Sequence, residues 1–218
     1  MTGFGYDLKD GSRVPAWLAV TVVVLLLGVV GSAGYIINDL LSPSSQPTAI
    51  DKEIASNKEA VERNPDDIES LLALGHAYQR AGRFREALRL YDQVLNLRPQ
   101  DTAALYNRGI VLLEQGRYSQ AEVALWDVLE RDREHALAAK ALGELYAEQG
   151  KYRSLIYTLR PVVEENEASA DLQYLMGLAY ENLGEGDLAE ERYRLALKYF
   201  PDMPEAREAL DRLGVVIE

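Results

Sequence analysis

Hydrophobic residues follow two different patterns along the chain, and the boundary between them lies near residue 50. On the N-terminal side they form an unbroken run. No charged residue occurs from Val14 to Asn38, and Trp17–Ile37 reads WLAVTVVVLLLGVVGSAGYII, apolar on every helical face. On the C-terminal side they return every three or four positions, between charged residues, as on the buried stripe of amphipathic helices. Glycines interrupt that stripe at regular intervals.

The uniform run is 21 residues long. As a helix it measures about 31 Å, close to the roughly 30 Å hydrocarbon core of a bilayer. Trp17 and Tyr35 stand near its ends, where aromatic residues meet the interface. Residues 14–38 are therefore expected to form a transmembrane helix. A cleaved signal peptide, whose apolar core usually spans about 7–15 residues, fits less well, although Gly31-Ser32-Ala33 would pass as a cleavage site. Lys9 and Arg13 precede the run and the next basic residue is Lys52. The positive-inside tendency then puts the short tail 1–13 in the cytoplasm and the rest of the chain outside it. Gly28 and Ser32 form a small-xxx-small pair suited to membrane-helix packing, though the plainer reading is that glycine is frequent in such helices. Residues 39–50, with Leu41-Ser-Pro-Ser-Ser-Gln-Pro-Thr48, read as a semi-extended linker. It would hold the following domain about 25 Å from the membrane.

In the second region the glycines have a period. Gly75, Gly109, Gly143 and Gly177 are each 34 residues apart, and so are Gly82, Gly116, Gly150 and Gly184. An aromatic column follows at Phe84, Tyr118 and Tyr152, broken by Gly186. A small-residue column comes next at Ala87, Ala121 and Ala189, broken by Leu155. Then come Tyr91, Leu125, Leu159 and Tyr193. This 34-residue pattern resembles the tetratricopeptide repeat (TPR), a helix-turn-helix unit. The family's aromatic at the fourth position is replaced by Leu71, Leu105, Ala139 and Gln173. The expected fold class is all-α: a TPR α-solenoid of four units at 68–101, 102–135, 136–169 and 170–202, preceded by one transmembrane helix. Capping helices at 51–67 and 203–218 would flank the units, as solenoid ends require a polar outer face.

In the first unit the pattern predicts helix A over about Asp66–Arg80 and helix B over Phe84–Leu97, with Gly82 as the left-handed stop between them. Asp66, Asp101 and Asp202 are the expected N-caps. A glycine inside a helix costs about 1 kcal/mol against alanine, so Gly75 should serve close packing, and the small Ala87 is its expected neighbour. Pro161 falls inside the third B helix, where it removes a backbone donor, and a kink or change of curvature is expected there.

Charge and chemistry narrow the function. The chain carries 23 basic and 35 acidic residues, a net charge of −12. This argues against nucleic acid as a partner, because phosphate binding rests on clustered Lys and Arg. Cysteine is absent, which removes thiolate metal sites and thiol nucleophiles. The only histidines are His76 and His135, and neither has ligand spacing to carboxylates. No nucleophile elbow or phosphate loop occurs. No catalytic, metal or cofactor residue is expected, and the protein is not expected to be an enzyme.

The resemblance implies a ligand groove on the concave face, lined by the A helices. Carried over by position, the candidate residues are Leu72 and His76 in the first unit, and Tyr106, Asn107, Ile110, Leu113 and Glu114 in the second. The third supplies Lys140, Glu144 and Glu148, and the fourth Tyr174, Leu178 and Glu181. The basic clamp of some TPR cochaperones is not reproduced, since Leu72 and His76 stand where it needs Lys and Asn. Asn107 and Lys140 match it only in part. The expected partner is a protein segment, helical or extended, with an apolar face and basic residues to meet the acidic rim. Three functions fit: a membrane-anchored scaffold or assembly factor, a chaperone-like receptor for client chains, and a stable subunit of a membrane complex.

Overall fold

The computed structural model describes residues 47–215. The expected membrane helix at 14–38, its Gly28 and Ser32, and the linker up to residue 46 lie outside the described residues. Among the described residues no helix is long and apolar enough to cross a membrane.

Ten α-helices follow one another among the described residues: α1 (Ala49–Arg63), α2 (Ile68–Arg80), α3 (Phe84–Leu97), α4 (Thr102–Glu114), α5 (Tyr118–Arg131), α6 (Ala136–Glu148), α7 (Tyr152–Glu165), α8 (Ala170–Asn182), α9 (Gly186–Tyr199) and α10 (Pro204–Arg212). They pair as α2–α3, α4–α5, α6–α7 and α8–α9, the A and B helices of the four expected units, with α1 and α10 at the ends. The turn within each pair is made by Gly82, Gly116, Gly150 or Gly184, at φ +70, +69, +68 and +78. The next backbone N–H bonds back to the helix, as from Arg83 to the Tyr78 carbonyl at 2.8 Å and from Lys151 to that of Tyr146 at 2.8 Å. That is a Schellman stop, which favours glycine because other residues resist positive φ. A methyl on Gly82 would meet nothing within 4 Å, so conformation and not space requires glycine there.

The other glycine column has the opposite cause. A Cβ on Gly75 would stand 2.6 Å from Tyr91 Cε1, and one on Gly177 would stand 2.6 Å from Tyr193 Cδ1. One on Gly109 would lie 2.8 Å from Leu125. The expected neighbour Ala87 is thus corrected. Gly75 is small because the large ring of Tyr91, one helix turn further along helix B, lies flat against it. Ala87 is itself fully buried, beside Tyr91 and Val111.

The third unit departs from this pattern. Leu155 fills the small-residue column and is fully buried. The Gly143 Cβ position lies 3.3 Å from Leu159, a looser fit than in the other units. Pro161 lies within α7 and does not end it. Helix α7 runs from Tyr152 to Glu165 through the proline, because a helix flanked by buried Val162 and Val163 is held by packing as well as by its hydrogen bonds.

Side-chain caps start α2, α4 and α6. Asp101 accepts the Ala104 N–H at 2.9 Å. For α2 the cap is Asp67 and not the expected Asp66: Asp67 accepts the Ser70 N–H at 2.9 Å. A cap must immediately precede the first helical residue, and Ile68 is that residue. Asp202 is not a cap either. Met203 takes that place with its side chain 5% exposed in the core, and Pro204 occupies the first turn, where a missing N–H is harmless. His135 caps α6, its Nδ1 accepting the Ala138 N–H at 3.1 Å. Asp101→Ala is expected to cost about 1 kcal/mol, measurable as a lower urea midpoint. An unchanged midpoint would show that the α4 start is held by packing alone.

One buried cluster runs from Leu105 on α4 to Leu210 on α10, and smaller clusters around Leu74, Leu71 and Tyr91 continue it towards α1. Both end helices bury one side against the stack. Ile54 of α1 is buried against Leu74 and Ala77, while Ala206, Ala209 and Leu210 bury one side of α10. Helix α1 begins two residues before the expected boundary.

Candidate functional site

The A helices α2, α4, α6 and α8 present residues at four-residue spacing on one face. His76 follows Leu72 by one turn, Ile110 follows Tyr106, Glu144 follows Lys140, and Leu178 follows Tyr174. Neighbouring A helices are joined across this face by polar rungs. Arg80 pairs with Glu53 at 2.9 Å. The Gln79 amide donates to Glu114 at 3.1 Å. Lys140 pairs with Asp171 and, at 3.9 Å, with Glu144. Arg212 holds both oxygens of Glu181 at 3.2 Å.

Between α2 and α4 lies an open hollow of about 580 Å³, lined by His76, Gln79, Arg80, Phe84, Tyr106, Asn107, Ile110 and Glu114. It brings together five of the sequence candidates. Phe84 is a lining residue that sequence reasoning assigned only to the repeat's aromatic turn column. The buried Asn107 sits 3.0 Å from His76 Nε2. An amide nitrogen donates, so this hydrogen bond forms when Nε2 carries no proton. Desolvation, and secondly the Arg80 charge, hold the His76 pKa below its ordinary 6.5. The ring also meets Tyr91 edge-on at 6.2 Å.

The other candidates fall in different situations. Leu72 is partly buried and packs into the clusters of Leu71 and Tyr91. Tyr106, half-buried, lies 5.3 Å from the His135 ring. Burial first, and Glu144 after it, raise its pKa. Ile110, Leu113 and Tyr174 are partly exposed while resting on the core, and Leu178 is also partly exposed. Tyr174 is 5.7 Å from the Tyr193 ring. Glu114 keeps only a neutral amide as partner, and Glu148 is exposed. Glu181 is already engaged: the Tyr193 hydroxyl donates to it at 2.5 Å, beside the Arg212 fork. Burial pushes its carboxyl up, but Arg212 and Tyr193 outweigh burial and hold it below the usual range. Among the described residues no group of three or more His, Cys, Asp or Glu is placed to hold a metal.

Models of the tetratricopeptide repeat match residues 72–127 and 112–153 and residues 170–203, together more than half of the chain. Curated protein sequences give no match. Among solved structures, the chain is similar to the crystal structure of MamA at 23% identity and TM-score 0.62, covering 71% of this chain and 95% of that one. A MamA chain from Desulfovibrio magneticus RS-1 matches at 25% identity and TM-score 0.62, covering 68% of this chain and 84% of that one. YrrB, described as a TPR protein with an unusual peptide-binding site, matches at 20% identity and TM-score 0.61, covering 73% and 91%. These likenesses concern the fold. With four glycine-stopped helix pairs, a repeated glycine-to-helix-B contact and matching family models, the chain belongs to the tetratricopeptide-repeat family.

Proposed function

We propose that the protein is a membrane-anchored scaffold or assembly factor that captures a segment of a partner protein along the A-helix face. One observation carries this reading: Tyr106, Ile110 and Leu113 form a partly exposed apolar strip beside the exposed carboxylates Glu114 and Glu148, with Glu144 held only at 3.9 Å by Lys140. An apolar helix or strand face would bury against the strip, and its Lys or Arg side chains would meet the rim. The peptide-binding site named for YrrB supports the same use of a TPR stack. The anchor rests on the apolar run at 14–38, and Lys9 and Arg13 orient it with the repeats outside the cytoplasm.

The test is purification of tagged full-length protein in mild detergent, with partners identified by mass spectrometry. Tyr106→Ala combined with Tyr174→Ala is expected to remove at least nine-tenths of the captured partner, about 1.4 kcal/mol or more in affinity, with helical circular dichroism retained. Undiminished capture by that double variant would overturn the groove.

A further inference from the structure

The chain contains two histidines, and the fold brings them against neighbouring residues of α4. His76 reaches Asn107 from α2, its Nε2 lying 3.0 Å from the amide nitrogen. His135, in the turn that starts α6, holds its ring 5.3 Å from that of Tyr106. Tyr106 and Asn107 both line the hollow between α2 and α4. Each histidine therefore adjoins the candidate groove.

Both rings act as hydrogen-bond acceptors. His135 Nδ1 accepts the Ala138 N–H at 3.1 Å and so caps α6. A protonated imidazole donates from both nitrogens and accepts from neither. The partner here is a backbone N–H, which cannot reverse its role, so a proton on Nδ1 ends the cap. It also sets a positive charge at the positive end of the α6 dipole. At His76 the consequence differs. The Asn107 amide can rotate to present its oxygen, so the main effect of a proton is charge: a second cation beside Arg80, one turn along α2. Burial and that guanidinium both oppose the charge and hold the His76 pKa below its ordinary value.

The surrounding charges are of mixed sign. On the His76 side, Arg80 is paired with Glu53 of α1, Glu114 of α4 lines the same hollow, and burial keeps the Tyr91 hydroxyl of α3 protonated. On the His135 side, Arg131, Asp132, Arg133 and Glu134 close α5 and form the turn, all exposed. Lys140 and Glu144 of α6 act on Tyr106 with opposite sign, and Lys140 is bound to Asp171 of α8. The carboxylates favour a proton on the rings, and the arginines and Lys140 oppose it.

We propose that His76 and His135 form a pH sensor on the A-helix face, which loosens the start of α6 and weakens the groove's hold on a basic segment as pH falls from about 7 to about 5.5. The release rests on the groove reading; the loosening of α6 does not. The sign follows from linkage. With the His76 pKa depressed in the fold, the unfolded chain binds more protons. Its stabilising contribution is complete above the unfolded value of about 6.5 and is lost as pH falls below it. Loss of the His135 cap acts in the same direction. Carboxylates such as Glu181, held below 4.5 in the fold, lose their contribution at lower pH.

Hydrogen exchange of full-length protein at pH 7.5 and 5.5, corrected for intrinsic rates, reads the loosening. Protection of the α6 amides of residues 139–142 is expected to fall about fivefold at the lower pH, while protection in α9 holds. His135→Asn supplies a cap that does not titrate and should remove most of that fall. His76→Gln should flatten what remains of the pH dependence of the urea midpoint. The groove probe is a synthetic amphipathic helix of leucine and lysine. Its affinity is expected to be about fivefold lower at pH 5.5 than at pH 7.5, and equal at both in the doubly substituted protein. Equal α6 protection at both pH values, a fall that persists in His135→Asn, or peptide affinity independent of pH would overturn the proposal. A peptide that binds at neither pH would overturn the groove and the release together, and α6 protection then judges the sensor alone.

Discussion

Tyr193→Ala is expected to destabilise the fourth repeat by about 3–5 kcal/mol, the range for deleting a buried aromatic side chain. Tyr193 is fully buried, and its ring occupies the space that Gly177 leaves open, with Cδ1 and Cε1 each 2.6 Å from where a Cβ would stand. Removing it opens a cavity between α8 and α9. It also removes the hydroxyl that donates to Glu181 at 2.5 Å. That carboxylate is shared with Arg212 on α10, so the end helix loses part of its attachment. Tyr193→Phe keeps the ring and should cost less, about 1.5–3 kcal/mol, the range for a hydrogen bond to a charged group. Each repeat contacts mainly its neighbours, so the effect should be local. Hydrogen exchange is expected to accelerate in α8, α9 and α10 and remain slow in α2 and α3. Loss of less than about 1 kcal/mol in the alanine variant would mean that the site collapses around the missing ring.

Gly177→Ala should cost about 1–3 kcal/mol, whereas Gly143→Ala should be neutral or stabilise the protein by about 0.5 kcal/mol. The two glycines occupy the same column of the repeat, so a purely local account would predict the same response at both. In a helix interior any Gly→Ala change gains up to about 1 kcal/mol from reduced backbone freedom. That gain is available at Gly143, where a Cβ would lie 3.3 Å from the flexible end of Leu159. At Gly177 the obstacle is a fully buried aromatic ring, held by its bond to Glu181 and packed against Tyr174. Ring and helix cannot both stay where they are. Urea midpoints of the two variants decide the matter. A similar shift in both would show that the glycine column serves the backbone and not the ring.

The structure explains why these columns were only half legible. The 34-residue recurrence placed α2–α9 closely, since α3 begins at Phe84 and each A helix stops just before its repeat glycine. The choice between Asp66 and Asp67 as cap turned on a single residue of helix start, which periodicity does not resolve. The partner of Gly75 was misjudged for a different reason. Ala87 and Tyr91 lie one turn apart on the same side of helix B, and only the offset between the paired helices selects Tyr91. Pro161 removes a backbone donor, yet α7 continues past it to Glu165 with Val162 and Val163 buried.

The candidate groove shows the same division. Four-residue spacing was enough to place Tyr106 and Ile110, or Tyr174 and Leu178, on one helix face. Sequence could not show that Glu181 is held by Arg212, 31 residues away, or that His76 meets Asn107, also 31 residues away. Nor could it bring the His135 ring beside Tyr106. By itself the sequence determined the repeat, the glycine turn inside each unit and an uncharged N-terminal run, because each depends on residues close along the chain. Only the tertiary structure decided which surface groups are already engaged and which remain available to a partner. That depends on distances between helices, set by how each ring and each glycine fit together.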